Sequence, residues 1–436
     1  MKLLTAILLF TAAIGCNTSQ TKLPDPGPHD IHQVIEKMTD VMIHDVTNPP
    51  LAARFFSYAC LAGYEVVAQN DSGFKSMYGI LNNYPLIKLP DSIKGYAYPL
   101  AALLAMMETA KKMQPSGKLF EQYENHFLDS CAALGYPAEV MEASRQYALY
   151  ISKQVLGYAR ADGYNKISNY PRYTPVAKEG SWYPTPPAYL AAIEPYFNTV
   201  RPFALDSCSQ FKPDPPVPFS KDKKSAFFEL IRKNYKDTLT DEHRMMAAFW
   251  DCNPFAVQDN GHLLVGLKKI SPGAHWLGIT GIACEKAHKS FSQSMKIFTI
   301  VSMGLMDGFI CCWDEKYRSN RIRPETAIRK YIDPDWKPLL QTPPFPEYLS
   351  GHSTISAASA QILTHYIGDD FSYIDSTELR FGLSPRSFTS FQQAADEAAI
   401  SRFYGGIHFM DAITNGVKQG RGVGNLLIQK VERSPS

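Results

Sequence analysis

Apolar residues recur at three- and four-residue spacing along most of the chain from residue 31 onward. This is the period of α-helices that bury one face. Residues 98–112 are rich in the helix formers Ala, Leu and Met, and residues 138–157 keep the helical spacing. Alternating β-branched and aromatic runs, which are typical of strands, are scarce. The pattern therefore predicts an all-α protein built as a helical bundle.

The second half of the chain predicts a series of helices separated by a loop over residues 253–273. The helices are expected over 225–234, 241–250, 284–316, 354–366 and 394–403, with a last one beginning near His408. Four prolines within 203–219 mark a boundary or crossover. We therefore expect an N-terminal helical region over 31–205 and a C-terminal helical domain over 220–430.

Residues 297–313 are almost entirely apolar but include Asp307. The stretch is shorter than the roughly 20 residues that span a bilayer, and it carries a charge. It therefore predicts a buried core helix.

The first residues have the pattern of an export signal. Lys2 precedes a short apolar run that ends in Ala13-Ile14-Gly15-Cys16, which resembles a bacterial lipoprotein cleavage box. We therefore expect residues 1–15 to be a signal peptide, Cys16 to be lipidated, and residues 16–30 to be a polar tether. The expected location is a bacterial cell envelope, on the periplasmic or outer-membrane side, with this anchor as the only membrane contact. The alternative is a plain secretory signal with an incidental cysteine.

Composition narrows the possible partners. The 436-residue chain has 45% hydrophobic and 20% charged residues and a formal net charge of +2. That balance argues against a general affinity for nucleic acid, so any anion binding must come from local clustering. The seven cysteines after Cys16 show no C-x-x-C spacing, which disfavours a zinc or redox motif. His262 and His275 are interpreted as ordinary loop histidines.

The first candidate segment contains Lys316 and Arg323, followed by Pro324. A spacing of seven places both cations on nearly the same face of a continuous helix. Pro324 disfavours helical backbone at Arg323, which places that residue near the helix end, where it can turn into a pocket. A guanidinium grips two oxygens at once, and an ammonium adds a compact charge. The alternative is a solvated basic face.

The second segment is Ser350-Gly351-His352, which follows a proline-rich approach and precedes a helical pattern. Free N–H groups and the helix dipole make a helix start favourable for an anion. Ser350 adds a hydroxyl, and Gly351 lets the backbone come close to the anion. The alternative is a serine cap followed by an incidental histidine.

The third segment contains Ser401-Arg402, His408 and Asp411. Asp411 lies one helical turn after His408 and is predicted to accept the Nδ1 proton, leaving Nε2 free as a ligand or nucleophile. The alternative is a histidine satisfied by a surface aspartate. Together the three segments predict a site for a tetrahedral oxyanion, phosphate or vanadate.

These motifs resemble those of the superfamily that joins vanadium-dependent haloperoxidases with type 2 phosphatidic acid phosphatases and bacterial acid phosphatases. The matching blocks fall in order between Lys316 and Asp411, and the resemblance implies a helix-bundle fold. Position 412 is Ala where the phosphatase pattern usually has Asp. Phe345 lies five residues before Ser350. Chloroperoxidases resemble this chain in carrying Phe at that position, whereas bromoperoxidases carry His. The absence of a spanning helix after the signal also favours the haloperoxidase branch.

The resemblance implies a haloperoxidase that uses hydrogen peroxide to oxidise a halide at a vanadate bound by His408. The vanadate oxygens would be neutralised by five groups: Lys316, Arg323, Ser350, Gly351 and Arg402. His352 would act as general acid–base, and Lys316 would polarise the peroxide. One alternative is a soluble phosphatase for a phosphoester, with His408 as nucleophile and His352 as acid. Another is a non-catalytic lipoprotein that binds oxyanions.

Overall fold

A computed structural model of the protein describes residues 26–259 and 263–433. The predicted signal peptide, the lipidation site at Cys16 and the loop residue His262 lie outside these ranges. The first helix begins at Pro28, so it includes the last three residues of the predicted tether.

Helices account for most of the described residues, which confirms the all-α prediction. The N-terminal region holds α1 (Pro28–His44), α2 (Pro49–Asn70), α3 (Tyr98–Met113), α4 (Leu119–Ala133) and α5 (Ala138–Arg160). The C-terminal region holds α6 (Ala226–Lys236), α7 (Asp241–Phe249), α8 (Pro272–Lys286), α9 (Phe291–Ser319), α10 (Pro324–Tyr331), α11 (Gly351–Ile367), α12 (Phe391–Tyr404) and α13 (Met410–Glu432).

Four short strands form two antiparallel hairpins. β1 (Val257–Asp259) pairs with β2 (Leu264–Gly266), and β3 (Tyr373–Asp375) pairs with β4 (Arg386–Phe388). The first hairpin lies within the segment 253–273, which the sequence predicted as a loop.

The single helix predicted over 284–316 is wrong, because the chain forms two helices there, α8 and α9. The signal for the break is a capping box at Ser290, whose Oγ accepts a hydrogen bond from the N–H of Gln293. The side chain of Gln293 in turn accepts from the N–H of Ser290. His288 adopts a left-handed φ of 50°, which no helix continues through.

Helix α9 lies at the centre of the protein and packs against α2, α8, α11 and α13. Within the described residues it is the one helix long and apolar enough to cross a membrane, yet 94% of its most apolar window is buried inside the protein. This burial is that of a core helix, as predicted.

One apolar core extends through both regions of the chain. Helix α2 contacts α3 and α9 closely at Gly63, where an added Cβ would lie 2.8 Å from Met106 Cγ and 2.8 Å from Met295 Sδ. The N-terminal helices therefore complete the packing around α9.

The cysteines of the described residues are all free thiols. Six of the seven are buried: Cys60, Cys131, Cys252, Cys284, Cys311 and Cys312.

The proline-rich crossover is fastened to α9 by the buried carboxylate of Asp307. It accepts hydrogen bonds from the backbone N–H groups of Phe203 (2.7 Å), Ala204 (2.8 Å) and Leu205 (3.3 Å). Burial raises the pKa of Asp307 to about 6, and the three donors oppose that rise. The buried carboxylate in the middle of α9 therefore fixes the start of the segment 203–219, which the sequence analysis interpreted as a boundary or crossover.

We expect Asp307→Ala to lower the free energy of unfolding by about 3 kcal/mol, because three buried N–H groups lose a charged acceptor. Urea denaturation measures the change. Asp369→Ala is the control, since this exposed aspartate follows α11 and surface changes usually stay within about 0.5 kcal/mol. Equal stabilities of the two variants would contradict the assigned role of Asp307.

Candidate active site

Lys316 and Arg323 do not share one helix as predicted. Helix α9 ends at Ser319, and the next residue, Asn320, takes a left-handed φ of 48°. Arg323 is the N-cap residue of α10, where its backbone is extended before Pro324. The predicted effect of Pro324 on the backbone is therefore correct, but Arg323 precedes a new helix instead of ending the old one.

The ammonium group of Lys316 lies among backbone carbonyls. It donates to the oxygens of Pro346 (3.0 Å), Glu347 (3.2 Å) and Leu349. Complete burial, together with the positive charge of Arg323, lowers the pKa of Lys316 to about 7. Through these hydrogen bonds Lys316 fixes the segment that precedes Ser350. Its positive charge faces carbonyl oxygens and, among the described residues, has no carboxylate partner.

Arg323 is also fully buried. Its Nε donates to the Phe345 carbonyl (2.9 Å), and Nη1 donates to the Ile407 carbonyl (2.8 Å) and lies 3.2 Å from His408 Nε2. Burial lowers the pKa of Arg323 to about 9. Within the described residues, Nη2 has no hydrogen-bond partner. One donor of the guanidinium is thus free for a guest.

Ser350 and Gly351 begin α11, as the sequence predicted. Ser350 is the N-cap, and its Oγ accepts from the N–H of Ser353 (3.3 Å) and from Ser353 Oγ (2.8 Å). Because Ser350 accepts in both bonds, its own hydroxyl hydrogen is free for another acceptor. Gly351 is the first helical residue, and first-turn N–H groups have no partner inside a helix.

His408 precedes α13 and is held by the buried carboxylate of Glu347. The distance between His408 Nδ1 and Glu347 Oε1 is 2.9 Å, and the same oxygen accepts from the N–H of Phe409 at 2.9 Å. A proton on Nδ1 leaves the Nε2 lone pair exposed toward Arg323. Burial first, and then Arg323 and Lys316, lower the pKa of His408 well below its ordinary value. The imidazole is therefore neutral.

The predicted contact between Asp411 and His408 is wrong. Asp411 instead makes a paired ion contact with Arg321, at 2.6 Å to Nη1 and 2.8 Å to Nη2. Arg321 Nε donates to Glu347 at 2.6 Å. Asp411 reaches His408 only through Arg321 and Glu347. The sequence signal for Glu347 was an acidic residue inside the apolar, proline-rich approach to Ser350.

His352 and Arg402 complete the polar wall. Arg402, in α12, donates from Nη1 to the Trp250 carbonyl at 2.9 Å, and burial lowers its pKa. Burial, and then the positive charge of Arg402, lower the pKa of His352 well below its ordinary value. Among the described residues, neither Arg402 Nε nor His352 Nε2 has a hydrogen-bond partner, and both atoms are buried.

One cavity is lined by some of the predicted site residues but not by all of them. Gly351, His352, Arg402 and His408 line it, and the rest of its wall is mainly apolar: Pro49, Pro254, Phe255, Pro272, Phe309, Trp313, Pro343 and Phe345. Lys316, Arg323 and Ser350 do not line it, although Arg323 contacts His408 directly. No sequence signal indicated that the loop 252–255 forms part of the wall.

The charge balance of this wall favours an anion. Within residues 26–259 and 263–433 no carboxylate forms an ion pair with Lys316 or Arg323, and Arg402 has only Asp251 at 4.0 Å. The carboxylate of Glu347 is engaged by Arg321 and His408. Buried cations without counter-charges are costly, and a bound anion removes that cost. Free donors on Arg323 and Arg402 suit several oxygens at once.

The fold and the site define a helical protein whose buried cations and two histidines suit an oxyanion. The model of the VCPO second helical-bundle domain matches residues 296–435. A structure described as the first bacterial vanadium-dependent iodoperoxidase is 42% identical, with a TM-score of 0.87, over 93% of this chain and 97% of that one. The chain belongs to the vanadium-dependent haloperoxidase family.

Two further structures share the fold at 16% identity. They are the apo and holo forms of a bacterial vanadium-dependent chloroperoxidase, with TM-scores of 0.65 and 0.63. The apo match covers 89% of this chain and 95% of the other, and the holo match covers 94% and 96%. No protein with a curated description matches the sequence.

We expect Glu347→Gln to weaken vanadate binding about 10- to 100-fold, because the carboxylate orients the ring of His408. Equilibrium dialysis of vanadate measures the change. Asp411→Asn is the matched control, since it keeps the His408–Glu347 bond and should weaken binding much less. An equal or larger loss in Asp411→Asn would show that Asp411 governs His408 after all.

Proposed function

We propose that this enzyme oxidises halide with hydrogen peroxide, using vanadate held at His408. The supporting observation is the buried imidazole of His408. Glu347 holds its Nδ1, and its Nε2 lies 3.2 Å from Arg323 Nη1, among buried cations that have little counter-charge. The family relationship supplies the class of reaction, and the free donors fit a tetrahedral oxyanion. The following roles are part of the same proposal.

His408 would be the protein's ligand to vanadium through Nε2. Its hydrogen bond to Glu347 keeps the proton on Nδ1, so Nε2 stays a lone-pair donor. Lys316, Arg323, Arg402, the hydroxyl of Ser350 and the N–H of Gly351 would neutralise the oxygens, a role comparable to an oxyanion hole. When bound, vanadate supplies a Lewis acid that activates peroxide without changing its own oxidation state.

His352 would act as the general acid–base group for hydrogen peroxide. Its Nε2 is buried and free of partners among the described residues, and it lines the same cavity as His408. Burial, and then the positive charge of Arg402, lower the pKa of the ring, which lets the neutral ring accept a proton from hydrogen peroxide. Lys316, whose pKa burial lowers to about 7, would supply positive charge close to the reacting oxygen.

We infer that iodide is the preferred halide. The apolar part of the wall carries Phe309, Trp313 and Phe345. The ring centroid of Trp313 lies 5.2 Å from that of Phe309 and 4.9 Å from that of Phe345. A large, weakly hydrated and easily oxidised anion loses little on entering such a pocket. The 42% identity to an iodoperoxidase supports the same choice. The similarity of Phe345 to chloroperoxidases is the one feature that points instead to chloride.

We expect purified protein reconstituted with vanadate to oxidise iodide in the presence of hydrogen peroxide, with smaller or no rates for bromide and chloride. His408→Ala should lose vanadate retention, because it removes the ligand atom. His352→Ala should keep vanadate but lose at least about 100-fold in turnover, the usual contribution of general acid–base catalysis. Vanadium analysis and a triiodide assay measure both quantities.

Two outcomes would contradict this proposal. The first is vanadate retention by His408→Ala equal to that of the unmodified enzyme. The second is hydrolysis of p-nitrophenyl phosphate that vanadate inhibits, without halide oxidation, which would indicate the phosphatase reaction. Circular dichroism of each variant confirms that the fold is intact.

We also propose that the protein is exported and anchored through a lipid on Cys16, as the sequence at residues 13–16 suggests. Cys16→Ser should abolish incorporation of labelled fatty acid in a bacterial host and release the protein from membranes. Unchanged labelling in that variant would exclude Cys16 as the modified residue.

A further inference from the structure

A second cluster of ligand-type side chains lies beside the oxyanion cavity. Cys252 follows α7, His275 lies in the first turn of α8, and Glu378 follows β3. All three side chains are buried, and their ligand atoms lie within 4.8 Å of one another. The segments are distant in sequence, so the tertiary fold alone brings these atoms together.

The spacing of the three ligand atoms matches one face of a tetrahedron around a metal ion. Cys252 Sγ lies 3.4 Å from His275 Nδ1 and 3.6 Å from Glu378 Oε1, and Nδ1 lies 3.2 Å from Oε1. With Zn–S bonds of about 2.3 Å and Zn–N or Zn–O bonds of about 2.0–2.2 Å, tetrahedral ligands lie about 3.3–3.6 Å apart. The two distances from Sγ fall within that range, and the Nδ1–Oε1 distance of 3.2 Å is just below it.

The surroundings of His275 are those of an oriented metal ligand. Its Nε2 lies 2.8 Å from Asp375 Oδ2, and Asp375 Oδ1 accepts from the N–H (3.0 Å) and the hydroxyl (2.6 Å) of Thr377. The indole of Trp250 stacks on the imidazole with a centroid distance of 4.5 Å. A carboxylate on the far nitrogen fixes the ring and directs the Nδ1 lone pair toward the other two ligands.

We propose that Cys252, His275 and Glu378 form a binding site for a divalent, thiol-seeking cation, with zinc the best match. The thiol of Cys252 loses its proton to solvent when the metal–sulfur bond forms, His275 binds through Nδ1 while Nε2–H donates to Asp375, and Glu378 binds through a carboxylate oxygen. The charges of thiolate and carboxylate then balance that of the cation. A solvent molecule completes the four ligands.

This site has a structural role toward the oxyanion cavity. The segment that carries Cys252 also presents the Trp250 carbonyl to Arg402 and contributes Cys252 itself to the cavity wall. Bound metal would join this segment to α8 and to the turn after β3. The proposal is independent of the proposed halide oxidation, because it concerns different ligands and is tested without vanadate.

The test uses tag-free full-length protein without vanadate. After removal of metals by a chelator, we expect titration with Zn²⁺ to reach about one ion per chain by elemental analysis and to release protons. Titration with Co²⁺ should produce a near-ultraviolet thiolate-to-cobalt charge-transfer band. Cys252→Ser should lose that band and bind Zn²⁺ at least about tenfold more weakly, and Glu378→Gln should also bind more weakly.

Two controls separate this site from other binding. Cys284→Ser changes another buried cysteine, in the same helix as His275, and should keep both the stoichiometry and the band. His408→Ala should also keep them, which excludes adventitious metal in the oxyanion cavity. Circular dichroism shows whether each variant folds. If Cys252→Ser does not fold, the Zn²⁺ stoichiometry and the cobalt band of the unmodified protein decide whether the site binds metal.

The competing arrangement is an imidazolium of His275 held between Asp375 and Glu378 with no metal. Well under one Zn²⁺ per chain in the folded, unmodified protein would establish that arrangement and overturn the proposal. A cobalt band of equal strength in folded Cys252→Ser would also overturn it.

Discussion

The carboxylate of Glu347 connects the three segments on which the site depends. It belongs to the approach to α11, and it contacts Arg321, which follows α9, and His408 and Phe409, which precede α13. The carboxylate is fully buried, so its charge is stabilised only by these partners. Because each partner comes from a different part of the chain, a shift in any of them changes the orientation of His408.

Around that carboxylate the protein buries more positive than negative charge. Lys316, Arg323 and Arg402 are almost inaccessible to water, and the pKa of each is lowered by burial. Such a wall stabilises negative charge without reorganising when the guest arrives, which is how preorganised sites favour charged species. The backbone carbonyls around Lys316 and Arg323 hold the cations in place before any guest is bound.

Much of the fold could be predicted from the sequence, because helical spacing and capping residues are local signals. The predicted helices over 98–112 and 138–157 correspond to α3 and α5 almost residue for residue. The helix predicted over 284–316 was wrong because apolar composition outweighed the capping box at Ser290. The common core of the two regions could not be predicted, since it depends on contacts between residues such as Gly63 and Met295 that are far apart in sequence.

The same distinction applies to the site. Short motifs identified Lys316, Arg323, Ser350, His352, Arg402 and His408, because each lies near a helix end with a recognisable signal. The partner of His408 was assigned wrongly, since helical spacing favoured Asp411 while the fold brings Glu347 to the ring. The cluster around His275 has no sequence motif, because His275 and Glu378 lie 23 and 126 residues after Cys252.

The packing of α9 against α2 has a consequence for how this chain can be divided. A fragment starting at residue 220 would retain the oxyanion-binding groups but would leave one flank of its central helix without cover. Water on that flank would oppose folding of the fragment, which would need a second copy or another apolar surface in place of α2. The two halves are therefore expected to fold only together. The match to the iodoperoxidase structure, which covers 93% of this chain and so includes both halves, agrees with that expectation.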